Sequence, residues 1–170
     1  MGRRYLMLDQ NMPTHAVSGM IRPQFGNRLW FVFDAAMNPQ VAAQRVPDPV
    51  FVTTAHIPSR RFMVNIDGIG MVVPRRDFSV FGVVYEVADV ALAAIDVQLG
   101  VPHYWHRYGC LGRNPDHRPI LMEFHTPAQP RPSRLGQADP NYLKPIVEAA
   151  RKWGFPEEYL DQFRFWCSDI

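Results

Sequence analysis

The chain is poor in the features that assign a function quickly. Its only two cysteines, Cys110 and Cys167, stand far apart and read as two reduced thiols rather than a disulfide or a catalytic pair. The net charge is only +2, so charge alone supplies no strong field for nucleic acid or an anionic membrane. No apolar run approaches the length that spans a bilayer. The opening residues Met1 to Asp9 carry positive charge but no sustained apolar stretch and no small-residue cleavage site, so a signal peptide is not expected. There is no internal repeat. These absences leave a cytoplasmic protein as the expectation, without nucleic acid or membrane as partner, and with homodimerisation left open.

What is present is ordinary globular chemistry. The chain is 47% apolar and 20% charged, enough to bury a core and too apolar for wholesale disorder. Its 170 residues suit one domain. Sixteen prolines point to strands punctuated by turns rather than a helical bundle. Residues 1–28 show no periodicity and read as an N-terminal extension, with Tyr5, Met7, Met12, Met20 and Phe25 available to pack against something. The domain proper is then 29–170.

Leu29 to Phe33 is a continuous run of β-formers, as expected of a strand buried on both faces. Asn38 and Pro39 cap and open a short helix ending at Arg45. Strands are expected over Val50–Ala55, Arg61–Ile66, Gly68–Pro74 and Phe78–Val87. Asp89 reads as the N-cap of a helix Val90–Gln98, which Gly100 stops before Val101-Pro102. Two more strands are expected over Tyr104–Tyr108 and Arg118–His125. A proline-rich linker runs from Thr126 to Gly136. Asp139-Pro140 then opens the helix Asn141–Trp153, with Pro145 near its first turn, and a last helix follows Phe155-Pro156. The order predicts an α+β domain on a mixed or barrel-like sheet.

Five segments, in order, resemble the γ-glutamylcyclotransferase-like family. Phe33-Asp34-Ala35-Ala36-Met37 stands where that family has Tyr-Gly-Ser-Asn-[Met/Leu]. Gly68-Ile69-Gly70-Met71-Val72-Val73-Pro74 and Val80-Phe81-Gly82-Val83-Val84-Tyr85 match its next two strands. Ile95-Asp96-Val97-Gln98-Leu99-Gly100-Val101-Pro102 matches Leu-Asp-x-x-Glu-Gly-Val-Pro, and Tyr142 to Tyr159 matches the terminal Tyr-Leu…Gly-Leu-Pro-x-x-Tyr pattern. The resemblance covers about Leu29 to Phe163. It implies a small mixed β-barrel with peripheral helices and a cavity at one end.

The resemblance also implies a site, and there the residues differ. The family's loop presents N–H groups and a serine to the substrate; Phe33, Asp34, Ala35 and Ala36 replace all four of those positions. Its general base is the glutamate before Gly-Val-Pro; Leu99 stands there, with no titratable or hydrogen-bonding atom. Release of 5-oxoproline from γ-glutamyl substrates is therefore not expected. Asp34 is the candidate relocated acid or base. Phe33, Ala35, Ala36, Met37, Met71, Tyr85, Leu99, Trp105 and Tyr142 are the candidate ligand-binding residues. The alternative for Asp34 is a turn carboxylate that accepts backbone N–H groups.

Other constellations carry less. His103 and His106, with Cys110 nearby, point to opposite faces if they lie on a strand, so no metal site is expected. No cofactor is called for. The pairs Arg60-Arg61 and Arg75-Arg76 lack the interleaved aromatics that stack nucleic-acid bases. Three functional readings stay open: a divergent enzyme for an amino-acid- or amide-like molecule, a non-catalytic binding or subunit protein that kept the scaffold, and a cyclotransferase or acyltransferase with a relocated acid/base.

Overall fold

A computed structural model describes residues 19–129, 131–134 and 138–167. Tyr5, Met7 and Met12 therefore lie outside the described residues. Of the other residues picked out in the N-terminal extension, Phe25 is fully exposed. Nearby, Ile21 bridges Ile120, donating its N–H to the Pro119 carbonyl at 3.1 Å.

Five strands close into a barrel in the order β1-β3-β2-β4-β5. They are β1 (Asn27–Val32), β2 (Val50–Val64), β3 (Gly70–Ala88), β4 (Trp105–Arg113) and β5 (Pro119–Pro127). Every neighbouring pair is antiparallel except β1 and β5, which meet in parallel at Trp30 and Glu123 and seal the barrel. Helices α1 (Pro39–Arg45), α2 (Asp89–Leu99), α3 (Pro140–Lys152) and α4 (Glu157–Arg164) pack around it, and a 3₁₀ turn at Ala35–Met37 follows β1. The α+β barrel with peripheral helices is thus the observed architecture.

Four strands expected in the middle of the chain are two. Val50–Ala55 and Arg61–Ile66 merge into β2, and Gly68–Pro74 and Phe78–Val87 merge into β3. Pairing passes from Pro58↔Ser79 to Arg60↔Pro74, so Arg75 to Phe78 bulge out opposite Ser59 without ending either strand. Ser59 and Asp77 take up the turn with φ of 54° and 66°. Bulges of this kind insert residues while the ladder resumes beyond them.

Helix α2 begins at its expected cap, one residue earlier than the sequence suggests. Ala88 precedes it and Asp89 is its first residue, because β3 runs directly into the helix. The Asp89 N–H donates to the Gly26 carbonyl, and its carboxylate receives Arg28 Nε at 2.8 Å instead of capping. The far end is as expected. Gly100 adopts φ 68°, while Val101 N–H reaches the Asp96 carbonyl and Gly100 N–H that of Val97, the double closure of a Schellman motif. Asp139 caps α3 through Asn141 N–H, and Pro145 sits inside that helix rather than in its first turn.

The core gathers around Phe33, whose ring lies 6.2 Å from those of Phe62 on β2 and Phe124 on β5. Phe62 in turn meets Phe163 of α4 at 4.7 Å. The aromatic cluster ties barrel to helices and fixes the loop that follows β1.

Candidate functional site

A cavity of about 490 Å³ opens at the end of the barrel where β1 finishes. Its wall is largely apolar, from Trp30, Phe31, Phe33, Ile69, Ile95, Leu99 and Trp105, with Asp34, Arg45, Gln98, His125 and Tyr142 supplying polar groups. A mostly apolar concavity with a few convergent polar side chains is the usual form of a small-molecule site.

Five of the ten residues picked from the sequence meet here: Phe33, Asp34, Leu99, Trp105 and Tyr142. The other five face elsewhere. Strand alternation turns Met71 away from its neighbour Gly70, and Met71 lines a separate cavity with His106 and Tyr108. Ala36 and Met37 are fully buried in the 3₁₀ turn. Ala35 borders a groove beside α1 and α3. Tyr85 is buried with its hydroxyl donating to the Met37 carbonyl at 3.3 Å, so it supports the loop from beneath.

Asp34 is both the turn carboxylate and a cavity group. Its Oδ1 accepts the Ala36 N–H at 2.9 Å, and its Oδ2 receives Arg45 Nη1 at 2.6 Å. Arg45 comes from the last turn of α1, so the Asn38-Pro39 helix start is what delivers a guanidinium to the mouth. Tyr142 accepts the Gly70 N–H at 2.7 Å. Burial pushes its phenol up to about 12, so it stays protonated at neutral pH and its own hydrogen is left to donate.

His125 is the polar group that sequence spacing did not pair. From β5 it places Nε2 at 2.8 Å from Asp96 Oδ1 on α2. Asp96 is also held by Arg107, Nη1 to Oδ2 at 3.2 Å, and Arg107 reaches Glu123 at 3.1 Å. Asp96 is the hub of this network. Burial lowers the imidazole's pKa against the opposing pull of Asp96. The folded protein thus binds a proton at His125 less readily than the unfolded chain does. This contribution to stability is whole above the ordinary value of 6.5 and is lost as pH falls below it. Urea midpoints between pH 7 and pH 5 should accordingly fall more steeply for the wild type than for His125→Gln; parallel curves would remove this account.

Among the described residues no helix is long and apolar enough to cross a membrane. Cys110 and Cys167 are both free.

Residues 79–163 match the AIG2-like family. No curated protein matches the sequence. Among solved structures, an uncharacterized protein from Homo sapiens superposes with a TM-score of 0.73 at 18% identity, covering 85% of this chain and 91% of that one. A gamma-glutamyl cyclotransferase gives 0.71 at 18% identity, with 85% and 90% covered. A yeast gamma-glutamyl cyclotransferase specific to glutathione gives 0.56 at 8% identity, with 85% and 99% covered. At such identities the likeness is one of fold.

Proposed function

The chain belongs to the AIG2-like family, and on that premise we propose that its barrel-end cavity binds an amino-acid- or amide-like small molecule without performing the cyclotransferase reaction. The observation that carries this reading is a cavity that is open and polar at its mouth while Leu99 stands in its wall. An open, mostly apolar concavity with a few polar groups is the usual form of a small-molecule site. Arg45 and the Tyr142 hydroxyl suit a carboxylate or carbonyl. Asp34 and His125 suit an amine or amide N–H. The aromatic wall suits the ligand's carbon frame.

Support for the negative half lies in the loop. The Ala36 N–H already donates to Asp34 and the Met37 N–H to the Asp34 carbonyl, so these two donors are not free to hold a substrate oxyanion. Native mass spectrometry of the purified full chain tests the positive half. A nitrogen-containing small molecule should leave with the wild type and be absent from Leu99→Trp, which fills the cavity. If no such mass appears, and L-glutamine leaves tryptophan fluorescence unchanged, the reading is wrong.

A further inference from the structure

We propose that the bulge between β2 and β3 binds the phosphate group of a small phosphorylated molecule, at a site that shares no lining residue with the barrel-end cavity. The sequence carries its arginine pairs, Arg60-Arg61 and Arg75-Arg76, well apart. The ladder brings them together. Pairing passes from Pro58↔Ser79 to Arg60↔Pro74 and leaves Arg75 to Phe78 out of it. Neighbours on a strand face opposite ways, and β2 splits its pair accordingly. The Arg61 guanidinium lies over the rings of Phe78 and Phe165, at 4.8 and 5.1 Å. Arg60 lines a cavity of about 540 Å³ together with Ser59, Arg75, Arg76, Asp77 and Phe78.

Three guanidiniums therefore share one concavity, and no carboxylate neutralises them. Arg28, Arg45, Arg107 and Arg164 are each ion-paired, whereas among the described residues Arg60, Arg75 and Arg76 are not. Arg60 Nη1 donates to the adjoining Ser59 carbonyl at 3.0 Å. Asp77 is the one carboxylate in the lining, and it bridges none of the three. Arg75, Arg76 and Asp77 are exposed, so a ligand from solvent reaches them. Like charges gathered without a partner repel one another, and an anion seated among them removes that repulsion. Guanidinium forks match phosphate oxygens two at a time, and the volume is that of a small-molecule site. The bulge is also held in a costly backbone shape. Ser59 and Asp77 take φ of 54° and 66°, left-handed values that non-glycine residues adopt at some cost and that recur at ligand clamps.

Equilibrium dialysis of radiolabelled pyrophosphate against the full chain tests this. One pyrophosphate should bind per chain, and more weakly as salt rises. The double variant Arg75→Gln/Arg76→Gln should weaken binding at least about tenfold, and Arg60→Gln alone should weaken it too. Lys144→Gln/Arg151→Gln removes the same charge from exposed positions on α3 and should leave binding near wild type. Asp77→Asn should tighten it, because the opposing carboxylate is gone. Pyrophosphate binding that is absent, that survives Arg75→Gln/Arg76→Gln, or that falls equally in both double variants overturns the proposal. Cosedimentation with phosphatidylglycerol vesicles in the absence of pyrophosphate binding would overturn it as well, making the bulge a lipid-headgroup surface.

Discussion

Given γ-glutamyl-L-alanine, the purified protein should release no 5-oxoproline above background, and Leu99→Glu should not restore release. Two independent losses set the size of the effect. Absence of a positioned acid/base typically costs about 10²–10⁴ in rate, and absence of an oxyanion donor about 10²–10³. Acting on different atoms in the transition state, they multiply to roughly 10⁴–10⁷. Restoring a carboxylate at position 99 recovers the first factor alone. The loop still offers Ala35 where the family pattern has serine, and its Ala36 N–H remains engaged by Asp34. Asp34 adds a carboxylate at the mouth, only half compensated for an incoming carboxylate because Arg45 is already its ion-pair partner. A base elsewhere in the cavity would free the attacking amine but would not polarise the carbonyl that the amine must attack. Measured release in the wild type that vanishes in Asp34→Ala would overturn this account of the loop.

The parts of this molecule that were legible in its sequence are those governed by neighbours along the chain. Asn38-Pro39 and Asp139-Pro140 are helix starts whose side chains cap within two residues. Gly100 closes α2 through bonds spanning a single turn. Family order added Phe33, Asp34, Leu99, Trp105 and Tyr142 to the cavity, because each sits at the end of an element where the pattern is strongest. The rest depended on pairings that no local period encodes. Asp96 and His125 are 29 residues apart, on a helix and a strand whose meeting depends on the barrel closing. Arg45 reaches Asp34 only because a seven-residue helix folds back on the loop. Met71 stands one step of a period-two strand from the cavity-lining Gly70, enough to turn it to the opposite face. The merged strands hid behind Ser59 and Asp77, whose polar side chains resemble a turn and in fact mark a bulge.

Replacing Gly82 by alanine should be among the most damaging single-methyl changes in the chain. Gly82 is buried on β3 opposite Ala55 of β2. A Cβ there would overlap the Val32 carbonyl oxygen and lie 2.6 Å from Phe31 Cζ. The obstacle is backbone of β1, which cannot rotate away, and both β1 residues line the cavity. Where a glycine's geometry suits any residue, alanine stabilises by about 0.4–1 kcal/mol through the unfolded chain. Here overpacking of about 1–3 kcal/mol, or more where backbone must move, outweighs that gain. Gly109→Ala supplies the contrast, since the position is exposed and a Cβ there meets nothing within 4 Å. Its effect should stay within about 0.5 kcal/mol. Urea denaturation of the two variants side by side should therefore give a midpoint well below wild type for Gly82→Ala and one near it for Gly109→Ala. The first variant should also lose the small molecule expected to leave with the wild type, because the methyl that displaces β1 displaces the cavity wall with it. Equal midpoints would mean that β1 slides freely along β3, and the rigid cavity wall assumed for the site would be lost.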